Sequence, residues 1–215
     1  MYNGRVTVAG PADVRELPGL VISKIAVGPY DNNAYLLRCR ASGASLLIDA
    51  AAEPERLLTL VGDGSLDYVL TTHRHADHWQ ALAEVVTATG ARTVAGSVDA
   101  DQIPVPSDLR VSGGDSLQLG EARLDLIELS GHTDGSISVL YDDPEGHPHL
   151  FSGDCLFPGG IGRTLSEPEF ESLLQGVVDC FFILPDETWV YPGHGFDTTI
   201  GQERPEIEAW RLRRW

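Results

Sequence analysis

Residues 71–78 read Thr-Thr-His-Arg-His-Ala-Asp-His and place four metal-ligand side chains within six positions. The four are His73, His75, Asp77 and His78. Across a tight turn, the first two can face one centre while the last two face a second centre beside it. Imidazole and carboxylate groups are ligands that suit zinc, iron or manganese. Four such residues in this order predict a metal centre, whereas a single histidine would more often be an ordinary core or surface residue.

Three later turns share one pattern, in which a strand-like run reaches a glycine and a metal-ligand type follows it. They are Ser130-Gly131-His132, Ser152-Gly153-Asp154 and Pro192-Gly193-His194. Glycine permits a sharp turn and a close approach of the backbone to a buried ion. Five of the seven histidines are thereby placed at strand ends. The other two, His147 and His149, lie in a segment with proline and glycine that we interpret as an exposed hairpin tip.

Short β-rich runs and amphipathic helical patterns alternate along the chain. Strands are predicted at 21–27, 34–39, 45–49, 67–71, 116–119, 123–129, 137–141, 149–152 and 188–191. Helices are predicted at 54–61, from 82 to a stop at Gly90, along an apolar stripe over 170–181 that Ser166 and Glu169 cap, and at 206–214. Two groups of strands, each followed by helices, predict two sheets packed face to face with helices outside.

The composition narrows the class of protein. The chain has 215 residues and a formal net charge of −17, which disfavours nucleic acid and anionic membrane surfaces as partners. Its 42% hydrophobic content is that of an ordinary globular protein, and we expect a single domain over residues 1–215.

The three cysteines form no CxxC pair, and we identify no signal peptide or membrane-spanning run, so a cytoplasmic location is expected. Lys24 is the only lysine, and the sequence suggests no function for it.

The sequence resembles the metallo-β-lactamase superfamily over residues 21–201, and within it the glyoxalase II branch of thioester hydrolases. The resemblance is carried by the HxHxDH motif of residues 73–78 and by the segments 31–36, 131–133, 151–164 and 191–195. It implies an α/β fold, a four-layer αββα sandwich with the site along one edge of the two sheets. The chain is most similar to the short, single-domain members of that branch.

The resemblance also implies a ligand set for two divalent metal ions, with zinc as the first choice and iron or manganese as alternatives. One ion would be bound by His73, His75 and His132, the second by Asp77, His78 and His194, and Asp154 would bridge them. The implied activity is hydroxyacylglutathione hydrolase-like, the cleavage of a small anionic acyl thioester by a metal-bound hydroxide at this binuclear site. Asp77 would be the catalytic residue that orients the hydroxide.

Two further residues are expected to contact the substrate. Arg163 stands where the family binds glutathione through a lysine, and its guanidinium can pair with a substrate carboxylate. Phe157 flanks the ligands and is expected to line the groove. Cys155 directly follows Asp154, and the alternation of side chains at a strand end points its thiol to the opposite face.

Other functions remain open on the same scaffold. A persulfide dioxygenase would use one iron bound by His73, His132 and Asp154, a facial triad with open positions for O₂. A lactonase-like hydrolase would share the HxHxDH motif, and a metal-binding protein without catalysis would require a blocked groove. About two metals per chain with thioester hydrolysis favours the hydrolase, whereas about one iron with O₂ uptake favours the dioxygenase. The oligomeric state is not predicted.

Overall fold

The computed structural model describes residues 2–214, and its first sheet contains seven strands in the order of the chain. The strands β1 to β7 are Asp13–Glu16, Leu20–Val27, Asn32–Cys39, Ser45–Ile48, Tyr68–Thr71, Arg92–Gly96 and Leu109–Val111. Neighbours are antiparallel from β1 to β4 and parallel from β4 to β7. Because β4 and β5 are parallel, the loops that follow them lie at the same edge of the sheet.

The second sheet contains six strands in the order β15-β14-β11-β10-β9-β8. The strands β8 to β11 are Ser116–Leu119, Ala122–Leu129, Ser136–Tyr141 and His149–Gly153, and β14 and β15 are Trp189–Pro192 and Thr198–Thr199. A small separate hairpin is formed by β12 (Leu156–Phe157) and β13 (Gly160–Ile161). Strands β11 and β14 are parallel, so Asp154 and His194 follow strand ends on one edge.

Apolar side chains form three layers of contacts. The inner faces of the two sheets enclose one core cluster that includes Leu37, Leu46 and Val139. A second cluster joins the outer face of the first sheet to α1 (Pro54–Val61) and α2 (Leu82–Thr89), and a third joins the second sheet to helices near the C-terminus. The later helices α3, α4 and α5 are Glu167–Gly176, Ile200–Glu203 and Ile207–Arg213. The predicted αββα sandwich is therefore confirmed.

Local sequence signals set the helix ends. Pro54 begins α1, where its fixed φ and missing N–H are tolerated. Gly90 ends α2 in a left-handed conformation with φ of 71°. The Ser166 side chain accepts a hydrogen bond from the Glu169 amide at the start of α3, and the helix then continues as a π-helical turn over Val177–Phe181. None of the helices within residues 2–214 is long and apolar enough to cross a membrane.

His149 contradicts its interpretation as part of an exposed hairpin tip, because its side chain is 0% exposed. It is the first residue of β11, where it pairs with Tyr141 of β10 and Trp189 of β14. Its Nδ1 lies 2.9 Å from the Tyr191 hydroxyl inside the sandwich. Strand pairing, rather than turn chemistry, decides its position. His147, two residues earlier, is half-buried.

Because His149 is buried, we expect the free energy of unfolding to fall in acid. The substitution His149→Gln should reduce that fall. Burial, with contributions from His147 and Arg15, lowers the pKa of His149 to about 3, whereas the unfolded chain has a His pKa of about 6.5. Between these values the unfolded state binds one more proton, so the free energy of unfolding falls by about 1.4 kcal/mol per pH unit as pH decreases. Urea unfolding from pH 7.5 to 4.5 should show a smaller fall for the variant. Parallel curves for the two proteins would contradict this.

Candidate metal centre

The structure brings all seven predicted metal-ligand side chains together at one edge of the sandwich. The loop after β5 in the first sheet supplies four of them, and the loops after β9, β11 and β14 in the second sheet supply one each. Three groups of three residues have ligand atoms within 4.8 Å of one another. These groups are His73 with His75 and His132, Asp77 with His78 and His194, and His73 with His78 and Asp154.

The first group is a triangle of imidazole nitrogens. The Nδ1 of His75 lies 3.1 Å from His73 Nε2 and 2.9 Å from His132 Nε2, and the two Nε2 atoms are 3.3 Å apart. An ion with tetrahedral bonds of about 2.0–2.1 Å holds its ligands about 3.3 Å apart. The spacing of the three nitrogens therefore fits a common metal ion.

The second group contains two imidazoles and a carboxylate. His78 Nε2 lies 3.2 Å from His194 Nε2. The Asp77 Oδ2 atom lies 3.4 Å from His194 Nε2 and 3.6 Å from His78 Nε2. This group has nearly the same dimensions as the first, so it offers a second place for a metal ion.

Asp154 lies between the two groups. Its Oδ2 is 3.5 Å from His132 Nε2 and 3.4 Å from His194 Nε2, so one carboxylate reaches a member of each group. Its Oδ1 is buried and has no hydrogen-bond partner within residues 2–214. An ionised oxygen is costly to bury without a partner, and a metal ion between the groups would satisfy it.

Electrostatics keeps His73 and Asp154 in their metal-binding forms. Burial lowers the pKa of His73 well below its usual value, which leaves a neutral imidazole. Burial acts in the opposite sense on Asp154, yet the nearby imidazoles, led by His78, hold the pKa of its carboxyl well below the usual range. Neutral imidazole and ionised carboxylate are the forms that bind a metal ion. Although burial acts in the opposite sense, Asp154 raises the pKa of His78 and His194, so a metal ion would replace a proton on those two rings.

The second ring nitrogen of three histidines is held by an acceptor outside the centre. The pairs are His78 with Asp49 Oδ2, His132 with the Arg163 carbonyl and His194 with the Tyr30 carbonyl, each at 2.8 Å. A carbonyl or carboxylate only accepts, so Nδ1 carries the proton in each ring. Nε2 then faces the centre and would be the atom that binds a metal ion, as in the outer hydrogen bonds that orient histidine ligands in metal sites.

Two contributors to the centre have no assigned role in the sequence analysis. Asp49, 1% exposed, accepts hydrogen bonds from the amide and the hydroxyl of Thr72 as well as facing His78. Asn32 donates its side-chain N–H to Asp77 Oδ2 at 2.9 Å. Asp49 directly follows the apolar strand β4, just as Asp154 directly follows β11. Unlike Asp154, Asp49 is not preceded by a glycine. That strand-then-carboxylate signal was present in the sequence.

The centre opens between two unlike clefts. A cleft of about 210 Å³ beside His75 and His132 carries the charged side chains Arg74, Asp134, Arg163 and Glu169. Arg74 is paired with Asp99 and Asp134, whereas the Arg163 side chain is exposed and has no ion-pair partner within residues 2–214. A more open cleft of about 630 Å³ on the other side is lined by Tyr30, Ala76, Asp77, Gln80 and His194.

Phe157 lies beside the second group, with its ring centroid 6.3 Å from that of His194. Cys155 belongs to none of the three groups of ligand atoms. It is 0% exposed and packs in the core cluster next to α3. Burial raises the pKa of its thiol to about 12, so the thiol is neutral. Trp79 donates its indole N–H to the Arg74 carbonyl at 2.9 Å and packs on the outer core of the first sheet.

Known proteins of similar sequence and structure share this fold. Residues 27–198 match the Metallo-beta-lactamase superfamily, and the chain belongs to that superfamily. Among curated relatives, a hydroxyacylglutathione hydrolase of Rhodopseudomonas palustris (strain BisB18) is 34% identical over 83% of this chain and 71% of its own length. The chain spans 63% to 71% of the first such relatives.

Two solved structures are similar to this chain over most of the length of both proteins. ETHE1 from Myxococcus xanthus superposes with a TM-score of 0.76 and 31% identity, covering 87% of this chain and 84% of its own. TTHA1623 in a di-iron-bound form superposes with a TM-score of 0.70 and 31% identity, covering 84% of this chain and 96% of its own. Similarity therefore extends to chains of about this length.

Proposed function

We propose that this chain is a metal-dependent hydrolase that cleaves a small anionic acyl thioester at a centre of two divalent ions. The observation that carries the proposal is the arrangement of two triads of ligand atoms, with Asp154 and its Oδ1, unpartnered in the described part of the chain, between them. Hydroxyacylglutathione hydrolases are among the relatives of the chain, and their name supports a thioester as the substrate. A neighbour solved in a di-iron-bound form supports two ions.

The ligand roles in this proposal follow the two triads. His73, His75 and His132 would hold one ion, Asp77, His78 and His194 the other, and Asp154 would bridge them. Two such ions, zinc as the first choice and iron or manganese as alternatives, supply Lewis-acid polarisation of a carbonyl and lower the pKa of water. The histidine-rich donor set suits zinc and iron, and the carboxylates also accept manganese.

Asp77 would serve as the catalytic carboxylate. Although burial acts in the opposite sense, the hydrogen bond from Asn32 and the nearby His78 lower the pKa of Asp77. The carboxylate is therefore ionised at neutral pH and can accept a hydrogen bond from the attacking water. Its side chain is 28% exposed and faces the larger cleft, so it can reach water that enters from that side.

The guanidinium of Arg163 at the smaller cleft supports an anionic substrate. Arg163 extends beside His132 with its guanidinium unpaired within the described residues, and a guanidinium binds carboxylate through two parallel hydrogen bonds. Phe157 offers an apolar surface near His194. We propose that Arg163 binds a substrate carboxylate while Phe157 contacts the acyl or thiol portion. The same proposal places the protein in the cytoplasm, as its three free thiols suggest, and treats residues 1–215 as one domain.

Metal quantification on freshly purified protein, paired with hydrolysis of the S-lactoyl thioester of glutathione, tests the proposal. About two ions per chain and a hydrolysis that chelation removes and metal restores are the expected results. His73→Ala, which removes a proposed ligand, should lose both hydrolysis and part of the bound metal. About one iron per chain, with O₂ uptake on a persulfide and no thioester hydrolysis, would contradict the hydrolase and favour the dioxygenase.

A further inference from the structure

Lys24, the only lysine of the chain, is completely buried. It lies in β2, and its ammonium donates all three of its hydrogen bonds inside the protein. The acceptors are the Gly4 carbonyl at 2.9 Å, the Gly195 carbonyl at 2.8 Å and Asp197 Oδ1 at 2.5 Å. Gly195 directly follows His194, so one of the three bonds holds the carbonyl of the residue next to a proposed metal ligand.

Asp197 is as completely enclosed as Lys24. Its side chain is 1% exposed, and its second oxygen accepts from the Tyr2 hydroxyl at 2.6 Å and the Trp189 indole at 2.9 Å. The pair therefore has a full set of hydrogen bonds, which a buried ion pair requires in order to persist. These bonds join the N-terminal segment, β2 and β14 to one carboxylate.

The Lys24–Asp197 pair fastens residues 193–197, here called the His194 loop, to the first sheet. The loop belongs to the second sheet, since it follows β14. Two neighbours on β3 assist, because Asn33 donates to the Pro192 and Gly195 carbonyls at 2.9 and 3.0 Å and Tyr35 donates to the Pro192 carbonyl at 2.7 Å. His194 is thus held across the seam between the two sheets.

The chemistry of the pair points to positioning rather than stability alone. A buried ion pair is often no more stabilising than apolar side chains of the same volume, so burial by itself gives no reason for a lysine here. Apolar side chains would leave the Gly195 carbonyl without the bond from Lys24. An ammonium can hold that carbonyl, a second carbonyl and a carboxylate at once, because it has three donors.

We propose that Lys24 is a positioning residue for His194, so that the triad of Asp77, His78 and His194 is assembled before a metal ion arrives. The proposal rests on the metal centre proposed above. The triad of His73, His75 and His132 has no contact with Lys24 or Asp197 among the hydrogen bonds of the described residues. Loss of the pair should therefore weaken one ion-binding step and spare the other.

Two variants test this positioning role. Each is prepared as a metal-free full chain and titrated with Co²⁺, and the two stepwise dissociation constants are measured. Lys24→Met leaves Asp197 without its cation, so it can fold poorly. The double variant Lys24→Met/Asp197→Leu removes both charges and preserves apolar volume, and circular dichroism establishes its fold. We expect one of its two steps to lose affinity by about 10–100-fold, the range for partners that orient a ligand, while the other step changes less than about twofold.

Thr93→Val is the matched control. Thr93 is buried in the same sheet and its hydroxyl donates to the Pro106 carbonyl at 2.8 Å, so the variant also loses an internal hydrogen bond but should leave both binding steps unchanged. Equal weakening of both steps in the double variant, or no change in either, would overturn the positioning role of Lys24. A wild-type chain that binds fewer than two ions would instead overturn the binuclear centre itself, and the inference with it.

Discussion

Asp154→Asn is expected to lower thioester hydrolysis by about 10³-fold or more and to reduce the bound metal from about two ions to one or fewer. The substitution preserves the size of the side chain but removes the charge that lies within 3.6 Å of His78, His132 and His194. Stabilisation by bound metal is worth several kcal/mol, and each 1.36 kcal/mol corresponds to about tenfold in rate.

Asp125→Asn provides the comparison for Asp154. Asp125 is on β9 of the same sheet, 45% exposed, and pairs with Arg123; such surface pairs contribute about 0–1 kcal/mol. Its variant should keep wild-type metal content and turnover. Metal content by elemental analysis and initial rates on the thioester give the measurement. Full occupancy and full turnover in Asp154→Asn would show that this carboxylate is not a ligand.

Gly193→Ala is expected to weaken metal binding and hydrolysis strongly by the addition of one methyl group. A Cβ at residue 193 would lie 2.1 Å from Asp154 Oδ1 and 2.8 Å from His78 Cε1. The backbone cannot easily move away, because the Gly193 amide donates to the Gly153 carbonyl at 2.9 Å and its carbonyl accepts from the Asn33 amide at 2.7 Å. The methyl group must displace Asp154 or His78, so metal binding and hydrolysis should both fall by at least about 10²-fold, as expected when catalytic groups are misplaced by about 1 Å.

Gly160→Ala is the matched change for Gly193. Residue 160 lies in the small hairpin after Asp154, and a Cβ there would meet no atom within 4 Å. That variant should bind metal and turn over substrate within about twofold of wild type, since surface changes away from such features are close to neutral. Wild-type metal affinity in Gly193→Ala would show that the centre tolerates a shift of Asp154 that the packing argument forbids.

Where structure follows from local chemistry, the sequence predicted it closely. Pro54 and Gly90 mark helix ends at the predicted positions, and Ser166 caps α3 as its spacing from Glu169 indicates. The strands that the sequence patterns do not predict have weak local signals. In β1, three of four residues are charged, and β6 has only a short apolar run in Arg92–Gly96. Such strands form because neighbours in the sheet pair with them, which local propensity does not encode.

The candidate centre was predictable because its ligands are of a distinctive chemical type and follow strand ends. All seven predicted residues, from His73 to His194, meet at one edge, although their roles stay a prediction. Lys24 and His149 were not predictable in the same way. Both are polar residues whose burial depends on partners far along the chain, Asp197 for the lysine and Tyr191 for the histidine, and such partners are visible only after folding.

The division of the ligands between the two sheets has a consequence for how the protein resists unfolding. One sheet presents four ligand side chains and the other presents three, so the proposed ions would act as cross-links that join the halves of the sandwich along a single seam. Like a disulfide, such a cross-link closes long stretches of chain, here from residue 73 to residue 194. Unlike a disulfide, its strength depends on the free metal concentration. Metal supply would then set the free energy of unfolding of the chain as well as its chemistry.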